Sequence, residues 1–356
     1  MGTSNDNNYL TMDTSNGSAA MTDFGVNIGS QITDKFHVGA QMYDENIGKL
    51  GQWHPTLDWA FGDYKFKDWF GVRAGKVKTV LGLFNDTQDM GFLSTWAILP
   101  QSMYPLDLRS STISHTGGDA YGHIPLHKAG SLDYTAYTGI RPDDPYGGYY
   151  INAATLGNPV TYDRGKVVGT DVRWTTPVSG LIVGTSWMDQ WFDIALILKQ
   201  GNIPFTAKSG DQPQRILAGY ADYTIGKWHS DTEYRSNKEI YAIASAFGPS
   251  PSLDLSDKEF FASVAYRVNQ HLELGTYNSR FYADVPSSSE AAAGHIFDQT
   301  VTARIDLTKF WNVKVEGHFI NGYGSTYSSH GFYLGDNTTG LKPETNLLTI
   351  RTGFNF

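Results

Sequence analysis

Cysteine is absent from this 356-residue chain. That excludes disulfides and thiolate metal sites, and it suits a protein that crosses an oxidising compartment before folding. No run of about 18 apolar residues occurs, so no membrane-spanning helix is expected. Basic residues are in deficit: 27 Lys and Arg stand against 36 Asp and Glu, a formal net charge of −9. With no basic block and evenly spread aromatics, nucleic acid is not an expected partner. No leader segment is visible either, since Met1-Gly2-Thr3-Ser4-Asn5-Asp6 is polar from the start. H-E-x-x-H spacing and a G-x-S-x-G elbow are both missing. No catalytic residue, metal or cofactor is therefore expected.

Aromatics and glycine are plentiful: 21 Tyr, 19 Phe, 9 Trp and 38 Gly. The mean hydropathy of −0.34 looks soluble, but a barrel that alternates lipid-facing and water-facing residues averages to the same value. The last ten residues alternate in this way. Leu348, Ile350, Thr352, Phe354 and Phe356 share one side of an extended strand, and Thr349, Arg351, Gly353 and Asn355 the other. Phe36, Val38, Ala40 and Met42 likewise oppose His37, Gly39, Gln41 and Tyr43. Phe260, Ala262, Val264 and Tyr266 oppose Phe261, Ser263, Ala265 and Arg267. One strand has a weak outer face, with Ser230, Thr232 and Tyr234 opposite Asp231, Glu233 and Arg235. A subunit contact would tolerate that.

Tight turn signals recur at Thr33-Asp34-Lys35, Phe66-Lys67-Asp68, His127 to Gly130, Pro177 to Gly180, Gly226-Lys227, Asn269-Gln270 and Leu307-Thr308-Lys309. Between them lie longer polar stretches: Pro142 to Gly165, Lys199 to Gln212, Phe247 to Ser256, Val285 to Ala293 and Tyr323 to Lys342. Short turns alternating with long loops predict an all-β fold, a transmembrane antiparallel barrel of about sixteen strands. Residues 1–356 form its single domain. The first strand is expected near Asn8 to Asp13, paired with Leu347–Phe356, and an even strand number puts both termini on the short-turn side. Phe36, Trp69, Phe70, Trp228, Phe310 and Trp311 crowd the tight turns. Amphipathic rings prefer a membrane–water interface, so they read as an aromatic girdle.

The longest stretch without alternation is Leu83 to Gly118. A loop this long is normally functional. Its apolar residues Met90, Phe92, Leu93, Trp96, Ile98, Leu99, Met103, Tyr104 and Leu106 need a surface to pack on. Folded into the barrel, they would lie on the wall. The loop would then narrow the bore and present Asp86, Gln88, Asp89, Asp107 and Arg109 to it.

A terminal strand ending on Phe resembles the closing strand of bacterial outer-membrane β-barrels. The segment Gly75 to Asp89 and its continuation Leu99-Pro100-Gln101-Ser102-Met103-Tyr104-Pro105 resemble the strand-to-loop region of bacterial porins of the phosphate-selective and dicarboxylate-type groups. Val80 stands where that pattern has proline, and the dense arginine ladder of a phosphate channel is missing. The resemblance implies a passive channel, assembled as a homotrimer amid outer-membrane lipid and lipopolysaccharide, with any leader removed. It also implies basic residues on the wall facing the constriction loop.

The residues expected at the constriction are Arg73, Lys76, Lys78, Asp86, Asp89, Asp107, Arg109, Arg173, Arg304, Lys314 and Arg351. Arg73 has one parity and Lys76 and Lys78 the other, so a bulge at Gly75 is expected to bring all three inside. Asp171, Tyr220, Asp222, Arg267 and Glu316 are further inward residues. A basic wall facing an acidic loop makes a transverse field, which suits small hydrophilic solutes, anionic ones among them. His115, Asp119 and His123 are close enough in sequence to admit a metal or proton site in the lumen. Two other classes stay open: a structural sheath housing a partner protein, which needs a clear bore, and a barrel enzyme.

Overall fold

The computed structural model describes residues 1–245, 248–249, 252–284, 291–324 and 330–356. The expected polar stretches Phe247 to Ser256, Val285 to Ala293 and Tyr323 to Lys342 therefore lie partly outside the described residues. The strands are β1 (Gly2–Thr3), β2 (Met21–Thr33), β3 (Phe36–Ile47), β4 (Thr56–Lys67), β5 (Phe70–Lys78) and β6 (Ser114–Pro125). Next come β7 (Ser131–Arg141), β8 (Val160–Thr175), β9 (Leu181–Gln200), β10 (Ile203–Ile225), β11 (Trp228–Tyr241), β12 (Ala244–Ser245) and β13 (Gly248–Pro249). The last are β14 (Leu253–Arg267), β15 (Leu272–Asp284), β16 (His295–Thr308), β17 (Trp311–Asn321) and β18 (Glu344–Phe354).

Each long strand pairs antiparallel with the next, β11 passing directly to β14. All seven tight turns fall where the sequence places them. Lys199 to Gln212 differs from expectation. It is an extended hairpin, in which β9 and β10 stay paired from Gln200↔Ile203 onward, and an irregularity between Ser209 and Gln212 absorbs Gly210 and Asp211. Pro142 to Gly165 holds a short helix, Gly148–Thr155, before β8 begins.

Fifteen strands are long, β2 to β11 and β14 to β18. Because fifteen is odd, β2 and β18 run in the same direction. Among the described residues no ladder joins them. Their edges meet through Arg351, whose Nη2 donates to both carboxylate oxygens of Asp23 at 2.8 and 2.9 Å. At the loop end β1 pairs with Leu347 and Leu348 of β18. The amino-terminal residues therefore sit at the loop end and not at the short-turn side, and Asn8 to Asp13 is not a strand.

The two faces have the expected chemistry. Outward Leu217, Ile225, Val301, Leu348, Ile350 and Phe354 are exposed, whereas inward Asp231, Glu233, Arg304, Lys314 and Glu316 are buried. The weak outer face of β11 needs no subunit contact to satisfy it. Ser230 Oγ donates to the Ser263 carbonyl at 2.8 Å, and Thr232 Oγ1 to that of Phe261 at 3.0 Å. A hydroxyl bonded to the neighbouring strand carries no unmet donor into lipid. At the short turns the aromatics touch: Trp228 lies 4.5 Å from Tyr266, and Trp311 stacks on Phe354 at 5.4 Å. At the loop end Tyr9, Leu10 and Met12 pack with Ile47, Leu50, Phe281, Ile320, Phe332 and Leu347.

Candidate functional site

The segment between β5 and β6, residues 79–113, runs inside the curved sheet; Ser114 to Gly118, expected in the loop, belong to β6. Apart from single helical turns it has no regular structure, so its backbone groups need partners from elsewhere. The wall supplies them with charged side chains. Lys314 Nζ donates to the carbonyls of Gly91 at 2.6 Å and Trp96 at 2.9 Å. Arg304 Nη1 takes those of Leu93 and Ser94 at 2.6 and 3.0 Å. Arg351 Nη1 reaches Ala97 O at 3.0 Å, Arg173 Nη2 reaches Gly82 O at 3.2 Å, and Arg235 Nη1 reaches Met103 O at 2.8 Å. Carboxylates take the N–H groups: Glu316 accepts from Ala97 and Ile98 at 3.0 Å each, and Glu233 from Leu83 at 3.0 Å. Charge-assisted bonds of this kind are about twice as strong as neutral ones.

The loop's apolar residues follow the same plan. Trp96, Ile98, Met103 and Tyr104 are buried, Trp96 edge-on to Tyr277 at 5.0 Å and Phe84 lying 5.9 Å from Phe261. Met90 and Leu93 stay exposed. At the turn into the loop Gly82 has φ +65°, and a Cβ there would lie 2.0 Å from Glu233 Oε1. Only glycine fits so close to that carboxylate.

The expected basic trio does not form. The β4–β5 and β5–β6 ladders continue through Gly75 without a bulge. Gly75 instead adopts φ +132°, where a Cβ would meet the Ala60 carbonyl at 2.3 Å. The irregularity sits on β4 at Asp58, between the pairs Gln41↔Trp59 and Met42↔Leu57. Lys76 keeps the parity opposite to Arg73, and its ammonium bonds the Leu57 carbonyl. Lys78 does reach the loop, because β5 ends there: its Nζ bonds both Asp89 oxygens at 2.8 Å and the Asp86 carbonyl at 2.9 Å. Asp89 also accepts from Gln41 at 2.9 Å, and Asp86 lies 3.4 Å from Arg173.

Asp107 and Arg109, expected to face water, are buried instead. Asp107 accepts from Tyr333 at 2.6 Å and from the Gly331 N–H at 3.2 Å. Arg109 forks onto Asp58 at 2.7 and 3.2 Å and lies 3.6 Å over the Tyr43 ring. Burial opposes its charge, but Tyr43, Asp58 and Glu45 raise its pKa above the ordinary arginine value. Both residues pin the loop's far end to the mouth. Arg73 turns from the loop to Asp119 at 2.9 Å, between the rings of Tyr121 at 4.8 Å and Phe61 at 5.9 Å. His115, Asp119 and His123 do not gather: they bond Thr79, Arg73 and Asp133 separately. Glu233, Arg235 and Asp58 were not expected at the site. Their inward parity was the available signal, since a charge on that row must meet either water or a partner.

Beneath the loop, toward the short turns, is a cavity of about 390 Å³ lined in part by Thr87, Gln88, His229, Arg267, Glu273 and Arg351.

No family model and no curated protein matches the sequence. Solved structures match along nearly the whole chain. OmpT, an outer membrane protein of Vibrio cholerae, superposes with TM-score 0.58 at 12% identity, over 94% of this chain and 89% of its own. An anion-selective porin from Comamonas acidovorans gives TM-score 0.53 at 11% identity, over 94% and 90%. The outer membrane channel DcaP of Acinetobacter baumannii gives TM-score 0.52 at 8% identity, over 98% and 91%. At this level of identity the shared property is architecture, and the chain has the porin-like β-barrel fold of bacterial outer-membrane proteins.

Proposed function

We propose that the protein is a bacterial outer-membrane porin, a channel for passive diffusion of small hydrophilic solutes with a mild preference for anions. It works as a homotrimer among lipid and lipopolysaccharide and catalyses no reaction. One observation carries this reading: a loop without regular structure is bolted across the bore by charged wall residues. Such a fixed constriction is what a diffusion channel needs. A sheath housing a partner needs a clear bore, and the loop occupies it. The anion preference rests on Arg73 and Arg173, each with about a quarter of its side chain open to solvent, at 24% and 29%. Field at the narrowest point decides selectivity, and net charge does not.

The test is single-channel recording in planar bilayers, with reversal potentials under a salt gradient. Discrete steps and a potential of anion-selective sign are expected. A chain that inserts without conducting would end the channel reading.

A further inference from the structure

We propose that Asp222, His229 and Asp231 form a binding site for one divalent transition-metal ion on the inner wall, at the short-turn end of the cavity. Asp222 and Asp231 are directly opposite each other across the β10–β11 ladder, and His229 follows two residues before Asp231 on the same row. Like charges placed opposite one another destabilise a strand pair unless a cation lies between them. One ligand atom from each of the three residues falls within 4.8 Å of the others.

A second observation points into the same space. Asp231 is 2% exposed, and its Oδ2 accepts from Ser263 Oγ at 3.2 Å. Its Oδ1 is buried and faces the His229 ring. That oxygen lies 3.2 Å from His229 Nε2, but the same nitrogen already bonds Asp222 Oδ2 at 3.2 Å. One ring proton shared between two carboxylates at 3.2 Å each serves both weakly, whereas a cation held by all three groups would satisfy both directly. An imidazole with two carboxylates suits zinc, cobalt or nickel. His229 and Asp231 both line the cavity, so a fourth position would open to water. A bound ion would cancel the two carboxylate charges there and make the cavity more favourable to anions.

The test uses refolded full-length protein in detergent, with Zn²⁺ in calorimetry and Co²⁺ in visible absorption. One ion per chain is expected, with nitrogen-ligated Co²⁺ bands. His229→Ala and Asp231→Asn should each weaken binding by about tenfold or more. His271→Ala, on an exposed turn, should leave it unchanged. Heat-modifiable migration on gels checks that each variant folds, and Asp231→Asn keeps the shape of the site if His229→Ala does not fold. The absence of binding up to millimolar Zn²⁺ would overturn the proposal and leave the three groups as a plain ion pair. So would binding that survives both variants, or that His271→Ala removes equally. In bilayers Zn²⁺ should shift the reversal potential toward anions. That readout alone rests on the channel reading, and the binding measurements stand apart from it.

Discussion

Lys314 and Glu316 grip the same stretch of the inner loop with opposite charges. The lysine ammonium takes the Trp96 carbonyl at 2.9 Å, and the glutamate takes the N–H groups of Ala97 and Ile98 at 3.0 Å each. Two residues apart on one strand, they share a face and reach the loop side by side. Neither side chain has measurable access to solvent, at 1% and 0%. Each would be costly there without the other and without the loop.

Glu316→Ala should therefore loosen the loop. It removes two hydrogen bonds to a charged acceptor, each contributing about 1.5–3 kcal/mol, and leaves two donors unpaired. It also takes a carboxylate away from Lys314 and leaves His318 with Asp298 alone of its two carboxylate partners. A lower apparent Tm in heat-modifiability gels and noisier single-channel currents are expected. Glu316→Gln, which keeps an acceptor, should lie between the variant and the wild type. Unchanged noise in Glu316→Ala would show that apolar packing alone holds the loop.

Deleting Thr87 to Ser94 should raise conductance and admit larger sugars. The deletion removes Asp89, the anchor of Lys78, and the carbonyls at Gly91, Leu93 and Ser94 that Lys314 and Arg304 hold. It leaves Glu316 and Glu233 bound to the remainder. Liposome swelling with sugars of increasing size measures the effect. An unchanged size limit would mean that the loop does not set the pore width.

Most of the barrel was legible because lipid and water impose a period of two on every strand, and tight turns need particular residues. The rows Phe260 to Tyr266 and Leu348 to Phe354 needed nothing else. The strand count near the amino terminus was not legible, since Asn8 to Asp13 has strand-like letters but packs as a cluster around Leu10. Inwardness of Arg173, Arg304, Lys314 and Arg351 could be read from parity. Their partners could not, because a charge facing a lumen looks the same in sequence whether it meets water or a loop carbonyl. The same limit misplaced Arg109, whose partner Asp58 sits at a strand irregularity that no local letter marks. Lys76 failed for a narrower reason: Gly75 permits a bulge, and the β4 chain took it at Asp58 instead.

Selectivity should follow Arg73. Its side chain is about a quarter open to solvent, and among the described residues its carboxylate partner is Asp119. Arg73→Glu should move the reversal potential toward cations without narrowing the bore, because glutamate is the smaller side chain. Lys76→Glu, whose ammonium rests on the Leu57 carbonyl, should move it far less. Equal shifts in the two variants would place both charges in the ion path and restore the trio expected from the sequence.

The loop should also respond to acid through His330. This residue is buried, with Nδ1 donating to the Gln101 carbonyl at 2.9 Å and its ring 4.3 Å from Phe281. Burial, only partly offset by that hydrogen bond and by Asp107, lowers its pKa below the ordinary histidine value. A free histidine takes up a proton near pH 6.5. Above that pH neither the native nor the unfolded form carries the proton, and the native contact is at full strength. As the pH falls below it, the unfolded form gains a proton that the native form refuses, so stability declines toward the lowered native value. Hydrogen exchange in residues 99–108 should therefore quicken between pH 7.5 and 5.0 more than intrinsic rates require. His330→Asn can still donate to the Gln101 carbonyl but does not titrate, so it should remove that excess. An excess that persists in His330→Asn would assign the acid response to another group at the mouth, such as the half-buried Asp144 carboxyl.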